Sequence, residues 1–134
     1  MFLQGAKAYQ EVNVTSAVSA ASPVRLIVLL YEGAMGAIAS AKLEIERKNV
    51  VGKAQLIMRA IDIINGLRAA IDTTRGGEIA VSLENLYEYM VRQLTMANLK
   101  NDVEPLDEIH RLLGELHSAW QTLADNEAPG KATP

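Results

Sequence analysis

The chain has 134 residues, with 13 lysines and arginines against 16 aspartates and glutamates, a net charge of −3 and no cysteine. A single domain of that length buries roughly two-thirds of its unfolded surface without a disulfide or metal staple, and the missing thiols exclude a disulfide framework, a thiolate metal site and a cysteine nucleophile. The mild acidity argues against nucleic-acid binding, which rests on a concentrated basic surface.

Residues 1–21 place Phe2, Leu3 and Tyr9 among small residues, with too weak a period for a long helix. Large apolar side chains in a segment with no core of its own either dock on the rest of the domain as an N-terminal cap or belong to a frayed tail. The first seven residues lack the charged-then-apolar layout of a signal peptide. The longest apolar run, residues 24–41, is interrupted by Arg25 and Glu32, and falls short of the ~20 uncharged residues of a bilayer span. These features predict a soluble protein that is not secreted by a cleavable signal and does not insert in a membrane.

Ser22-Pro23 marks a helix start: serine caps the first turn, and proline at the first position gives up only an amide that has no intrahelical partner. Val24, Ile27, Val28, Tyr31, Met35, Ile38 and Ile45 then share one face. Leu26, Leu29 and Leu30 make the first half apolar nearly all round, as in a heavily covered helix, and Gly33 and Gly36 suit a close helix crossing. This helix is expected over 22–48. Asn49 caps a second, over 50–74, in which Leu56, Ala60, Ile63, Leu67 and Ile71 form one stripe and Ile57, Ile61 and Ile64 an adjacent one.

Gly76-Gly77 stops what precedes it, since glycine takes positive φ without steric cost, and Glu78 favours the positive end of a new helix dipole. Over 78–100, Ile79, Leu83, Leu86, Met90, Leu94 and Ala97 recur at helical spacing, while Tyr87 and Tyr89 carry apolar surface round to a second side. Asp102 caps a fourth helix over 103–124, where Leu106, Ile109, Leu113, Leu116, Trp120 and Leu123 alternate by three and four like a bundle seam. Residues 126–134 read as a disordered tail. With no strand signal and short connections, the fold expected over 22–125 is all-α: an antiparallel four-helix bundle preceded by the short N-terminal segment.

Catalytic and metal patterns are missing. His110 and His117 lie seven residues apart, two turns or ~10 Å along a helix, too far for one metal ion. Glu-x-x-His, phosphate-loop glycine patterns and a nucleophile–base arrangement do not occur. Asp62, set between isoleucines, reads as an outward-facing acid. The expectation is no enzyme, no cofactor and no metal. What remains is surplus apolar helix surface, which fits either a self-associating face or a groove for another protein's amphipathic helix.

Ala8-Tyr9, Ser22-Pro23-Val24-Arg25-Leu26-Ile27, Leu30-Tyr31-Glu32-Gly33-Ala34, Gly76-Gly77-Glu78-Ile79-Ala80, Leu86-Tyr87-Glu88-Tyr89-Met90, Ala97-Asn98 and Ala119-Trp120 together resemble the flagellar export chaperone FliS family, in order and spacing, from about residue 5 to residue 123. The resemblance implies a cytosolic chaperone that binds the disordered C-terminal segment of flagellin in hydrophobic grooves of a helical bundle. Such binding prevents premature polymerisation and supports secretion and filament assembly. Carried onto this chain, it nominates Ile57, Ile61, Ile64, Leu67, Ile79, Leu83, Tyr87, Tyr89, Met90 and Ala97 for apolar contact, with Asn65, Gln93 and Asn98 for polar contact. It also nominates Phe2, Leu3 and Tyr9 as a displaceable cap. The export machinery and a second copy of the chain are the further candidate partners.

Overall fold

The computed structural model describes residues 22–132, apart from the side chains of Thr73 and residues 128–132. Four helices follow one another: α1 Pro23–Glu46, α2 Val50–Ala69, α3 Thr73–Lys100 and α4 Val103–Ala132. The connections, residues 47–49, 70–72 and 101–102, are too short for anything but antiparallel neighbours. α1 packs against α2 and α4, and α3 packs against the same two, so the helices ring one core in chain order. This is the all-α four-helix bundle expected from the sequence, and no strand occurs among the described residues.

Each helix begins where a short polar side chain satisfies amides that lack an intrahelical acceptor. Ser22 Oγ accepts from the Arg25 amide at 3.1 Å with Pro23 in the first turn. Asn49 Oδ1 accepts from the Gly52 amide at 3.1 Å. Asp72 Oδ1 accepts from the amides of Thr74 and Arg75 at 3.1 and 3.2 Å, and Asp102 Oδ1 from that of Glu104 at 3.0 Å. Asn101 ends α3 in the left-handed conformation at φ 53°, its amide donating to the Ala97 carbonyl.

Boundaries differ from expectation in three places. α2 stops at Ala69 rather than 74, because Asp72 claims residues 73–75 for the first turn of α3. The glycine pair therefore interrupts α3 instead of preceding it: Gly77, at φ 59° and ψ −136°, kinks the helix, and the long straight segment starts at Glu78. A Cβ at Gly77 would meet nothing within 4 Å, so glycine is needed there for its backbone alone. α4 runs on to Ala132, beyond the expected end at 124 and through Pro129 and Gly130. The expected N-terminal cap, Phe2, Leu3 and Tyr9, lies outside the described residues.

The core is built from Tyr31, Ile38, Ile57, Ile64, Tyr87, Met90, Leu94, Leu106, Ile109 and Leu113, all fully enclosed or nearly so. A Cβ at Gly33 would make an ordinary 3.4 Å contact with Ile63 Cδ1 and one at Gly36 would meet nothing within 4 Å, so neither glycine is required by the close crossing expected of them. At the end of α4 the inward position passes to Ala124, and Leu123 turns outward, because the seam takes a step of four after Trp120. α1 is long and apolar enough to pass for a membrane span, but Tyr31, Ala34, Ala37, Ile38 and Ala41 are buried against its neighbours, as in a core helix.

Tyr31 and Tyr87 meet across the diagonal of the bundle. Their hydroxyls hydrogen-bond each other, and the rings tilt 57° with centroids 6.5 Å apart. Burial pushes both phenols above their ordinary pKa, an effect eased at Tyr31 by hydrogen bonds with Tyr87 and Trp120 and reinforced at Tyr87 by Tyr31.

Candidate functional site

Most of the exposed aliphatic side chains among the described residues lie on α2 and α3. On α2 the outermost positions are Val51, Gln55, Met58, Asp62, Asn65 and Ala69, spaced by four and three and all exposed. One charge among six is low for a solvated helix face, and the depletion of charge is what marks the core of a contact surface. Val51 is 68% exposed and Met58 48%. On α3, Ile79 is 80% exposed and Leu99 75%, with Val81 and Met96 also outward. A shallow depression runs along the same helix, lined by Tyr89, Val91, Arg92, Gln93, Thr95 and Met96.

The residues nominated from the sequence divide into two layers. Ile57, Ile61, Ile64 and Leu67 on α2, and Tyr87, Met90 and Ala97 on α3, are buried; they form the wall behind the surface. Asn65 and Ile79 are exposed, and Leu83, Tyr89, Gln93 and Asn98 are half-buried. The two tyrosines part company: Tyr87 is core, whereas Tyr89 lies at the surface and donates its hydroxyl to Glu108 Oε2 on α4 at 2.6 Å. That bond to a carboxylate, with partial desolvation, raises the Tyr89 pKa above its ordinary value.

Met58, Val50, Val51, Val81, Met96 and Leu99 were not singled out from the sequence. The signal was present in the α2 stripe at 51, 55, 58, 62, 65 and 69, whose three-and-four spacing matches that of the buried stripe, but apolar spacing alone does not say which stripe faces inward. Asp62 lies outward, as expected.

Where α2 meets the end of α3, Lys53 is only 4% exposed, yet no carboxylate pairs with it among the described residues. Its Nζ donates to the Asn98 carbonyl at 2.8 Å. That carbonyl belongs to the last turn of α3, where acceptors lack intrahelical donors and the dipole favours a cation. The Asn98 side-chain Oδ1 is buried beside it without a hydrogen-bond partner.

The opposite seam, between α1 and α4, is stitched by polar contacts at three heights. Lys42 Nζ lies 3.0 Å from Asp107 Oδ1, His117 Nε2 2.9 Å from Glu32 Oε2, and Arg25 Nη1 3.2 Å from Gln121 Oε1. Among the described residues no cluster of three or more histidines and carboxylates could hold a metal ion.

This arrangement exposes aliphatic side chains on two adjacent helices, with no metal-binding cluster among the described residues, which suits contact with an amphipathic or unfolded polypeptide. A family model described as flagellar protein FliS matches residues 5–127. The chain is 46% identical over 121 residues to the flagellar secretion chaperone FliS of Salmonella typhimurium, covering 90% of each chain. It is 44% identical over 122 residues to the flagellar secretion chaperone FliSB of Pseudomonas aeruginosa, covering 91% of this chain and 97% of that one. Identity to the FliS of Bacillus subtilis is 31% over 120 residues, 90% of this chain and 86% of the other.

Proposed function

This chain belongs to the FliS family of flagellar proteins, and from that premise we propose that it is a cytosolic flagellar export chaperone whose client is the C-terminal segment of flagellin. The observation that carries the reading is aliphatic exposure on two adjacent helices, with Val51 and Met58 on the charge-poor outer stripe of α2 and Ile79, Met96 and Leu99 exposed on α3. The client lies along this side, meeting Asn65, Ile79, Leu83, Tyr89, Gln93 and Asn98 directly, while Ile57, Ile61, Ile64, Leu67, Tyr87, Met90 and Ala97 set the shape of the surface from beneath. No step of this function is catalytic.

The energetics require extended contact. Ordering ~20 client residues costs roughly 20–40 kcal/mol of backbone entropy, and burying ~1,000 Å² of apolar surface returns about 25 kcal/mol. The client must therefore be held along much of its length and make its own hydrogen bonds, which favours helix formation on the surface. A client held in this way has its self-assembly surface covered, which blocks premature polymerisation and keeps it fit for secretion.

Isothermal titration of the full chain with a peptide of the C-terminal flagellin segment tests this. One-to-one binding with a negative heat-capacity change and a gain of helicity is the expected result. Absence of binding at high concentration, with concentration-dependent dimerisation instead, would assign the same surface to a second copy of the chain.

A further inference from the structure

We propose that Met58 on α2 and Met96 on α3 form an oxidation switch: hydrogen peroxide converts their thioethers to sulfoxides while the surface is empty, and the oxidised chaperone loses its hold on the client. The proposal deepens the chaperone reading and rests on it. The chain has five methionines and no cysteine, so the thioether is its one kind of oxidisable sulfur. Met1 lies outside the described residues, and the fold sorts the other four into two classes. Met90 is fully buried and Met35 is half-buried against the core. Met58 and Met96 are 48% and 38% exposed, open to a small oxidant. Both stand among exposed aliphatic neighbours. Met58 shares with Val51 the α2 stripe that carries one charge in six positions, and Met96 sits one turn before Leu99 at the shallow depression on α3.

That placement gives oxidation a consequence. A thioether is unbranched, polarisable and apolar, and adapts to whatever surface is laid on it. A sulfur lone pair attacks one peroxide oxygen, the O–O bond breaks as the S–O bond forms, and the other oxygen leaves as water. The sulfide is oxidised and the peroxide reduced. The product keeps the length of the side chain but carries a strongly polar oxygen that accepts hydrogen bonds from water. An apolar client laid over it strips that water and offers no donor in return. Because both side chains point away from the interior, the bundle stands while its surface changes. A client already in place shields the same sulfurs, so the loaded chaperone is spared and the empty one is switched off. A methionine sulfoxide reductase reverses the change, oxidising a dithiol to a disulfide and releasing the oxygen as water.

The test treats the full chain with hydrogen peroxide, removes the peroxide, and then titrates in the flagellin C-terminal peptide, with mass spectrometry following each methionine. Met58 and Met96 should take up oxygen about tenfold faster than Met35 and Met90, and more slowly when the peptide is present during treatment. Peptide affinity should fall about tenfold at an unchanged thermal midpoint, and return after reductase and dithiol. The Met58→Leu/Met96→Leu variant, whatever its starting affinity, should bind equally before and after peroxide. Affinity of the oxidised chain within twofold of the untreated one, a loss that persists in the double variant, or oxidation of Met58 and Met96 no faster than that of Met90 would overturn the proposal. A fallen midpoint would overturn it too, since it would place the damage in the fold. Failure of the untreated chain to bind the peptide would instead overturn the chaperone reading and the switch with it.

Discussion

The α1–α4 seam and the α2–α3 side of this bundle are built on opposite terms. The first is closed by Lys42–Asp107, Glu32–His117 and Arg25–Gln121 at successive heights. On the second, the described inter-helix polar link is the buried Lys53–Asn98 contact, and the outer surface is left aliphatic. Polar pairs at a surface seam add little stability, but they satisfy the surface in place and leave nothing for a partner to cover. An aliphatic surface left open is the reverse: it contributes no stability while exposed, and it yields free energy once covered. The fold rests on its interior, and the difference between its two sides is a difference in availability.

That contrast can be broken or sharpened by substitution. The largest effect is expected from Ile57→Ala, which truncates a fully buried side chain behind the aliphatic surface: ~2–5 kcal/mol of stability is lost, read by denaturant unfolding. Tyr31→Phe should cost about 1–3 kcal/mol, because Tyr87 keeps a buried hydroxyl without its partner, and the Tyr31→Phe/Tyr87→Phe double variant should cost less than the sum of the singles. The same pair gives a pH dependence of known sign. Both phenols titrate above their ordinary value when folded, so their contribution is complete below pH ~10 and is lost as the pH rises beyond it. Alkaline unfolding profiles of the double variant should lose that slope.

Met58→Asp separates surface from fold. Stability should stay within ~0.5 kcal/mol, while titration shows flagellin-peptide affinity falling about tenfold, or ~1.4 kcal/mol. An unchanged affinity would remove the α2 stripe from the contact surface. The smallest effect belongs to the polar seam: Lys42→Met should leave denaturant unfolding nearly unchanged, with any difference shrinking in high salt.

The fold was legible because its signals were local. Ser22, Asn49 and Asp102 cap where capping chemistry says they should, and the three-and-four spacing of Leu106, Ile109 and Leu113 names the buried face of α4. Asp72 escaped notice because the glycine pair that follows it is the louder signal, although aspartate followed by threonine and arginine amides is itself a helix start. The candidate surface was legible only in part. Ile61 and Met58 sit three residues apart on one helix, and composition cannot say which of two parallel apolar stripes meets the core. That choice depends on where α3 and α1 pack, which no residue of α2 records. The Tyr87/Tyr89 pair shows the same limit: two residues apart on a helix means roughly opposite directions, so one had to be buried, and the neighbours decided which.

Four rods joined in a ring make a frame that can shear into a lozenge while every side keeps its length. One brace from corner to opposite corner removes that freedom. The Tyr31–Tyr87 hydroxyl pair spans the bundle in this way, linking two helices that are not neighbours in the ring. A polypeptide admitted between the helices would have to part this brace and strand two hydroxyls in an apolar interior. One laid along the outside leaves it untouched. The frame therefore resists being entered and leaves its outside free.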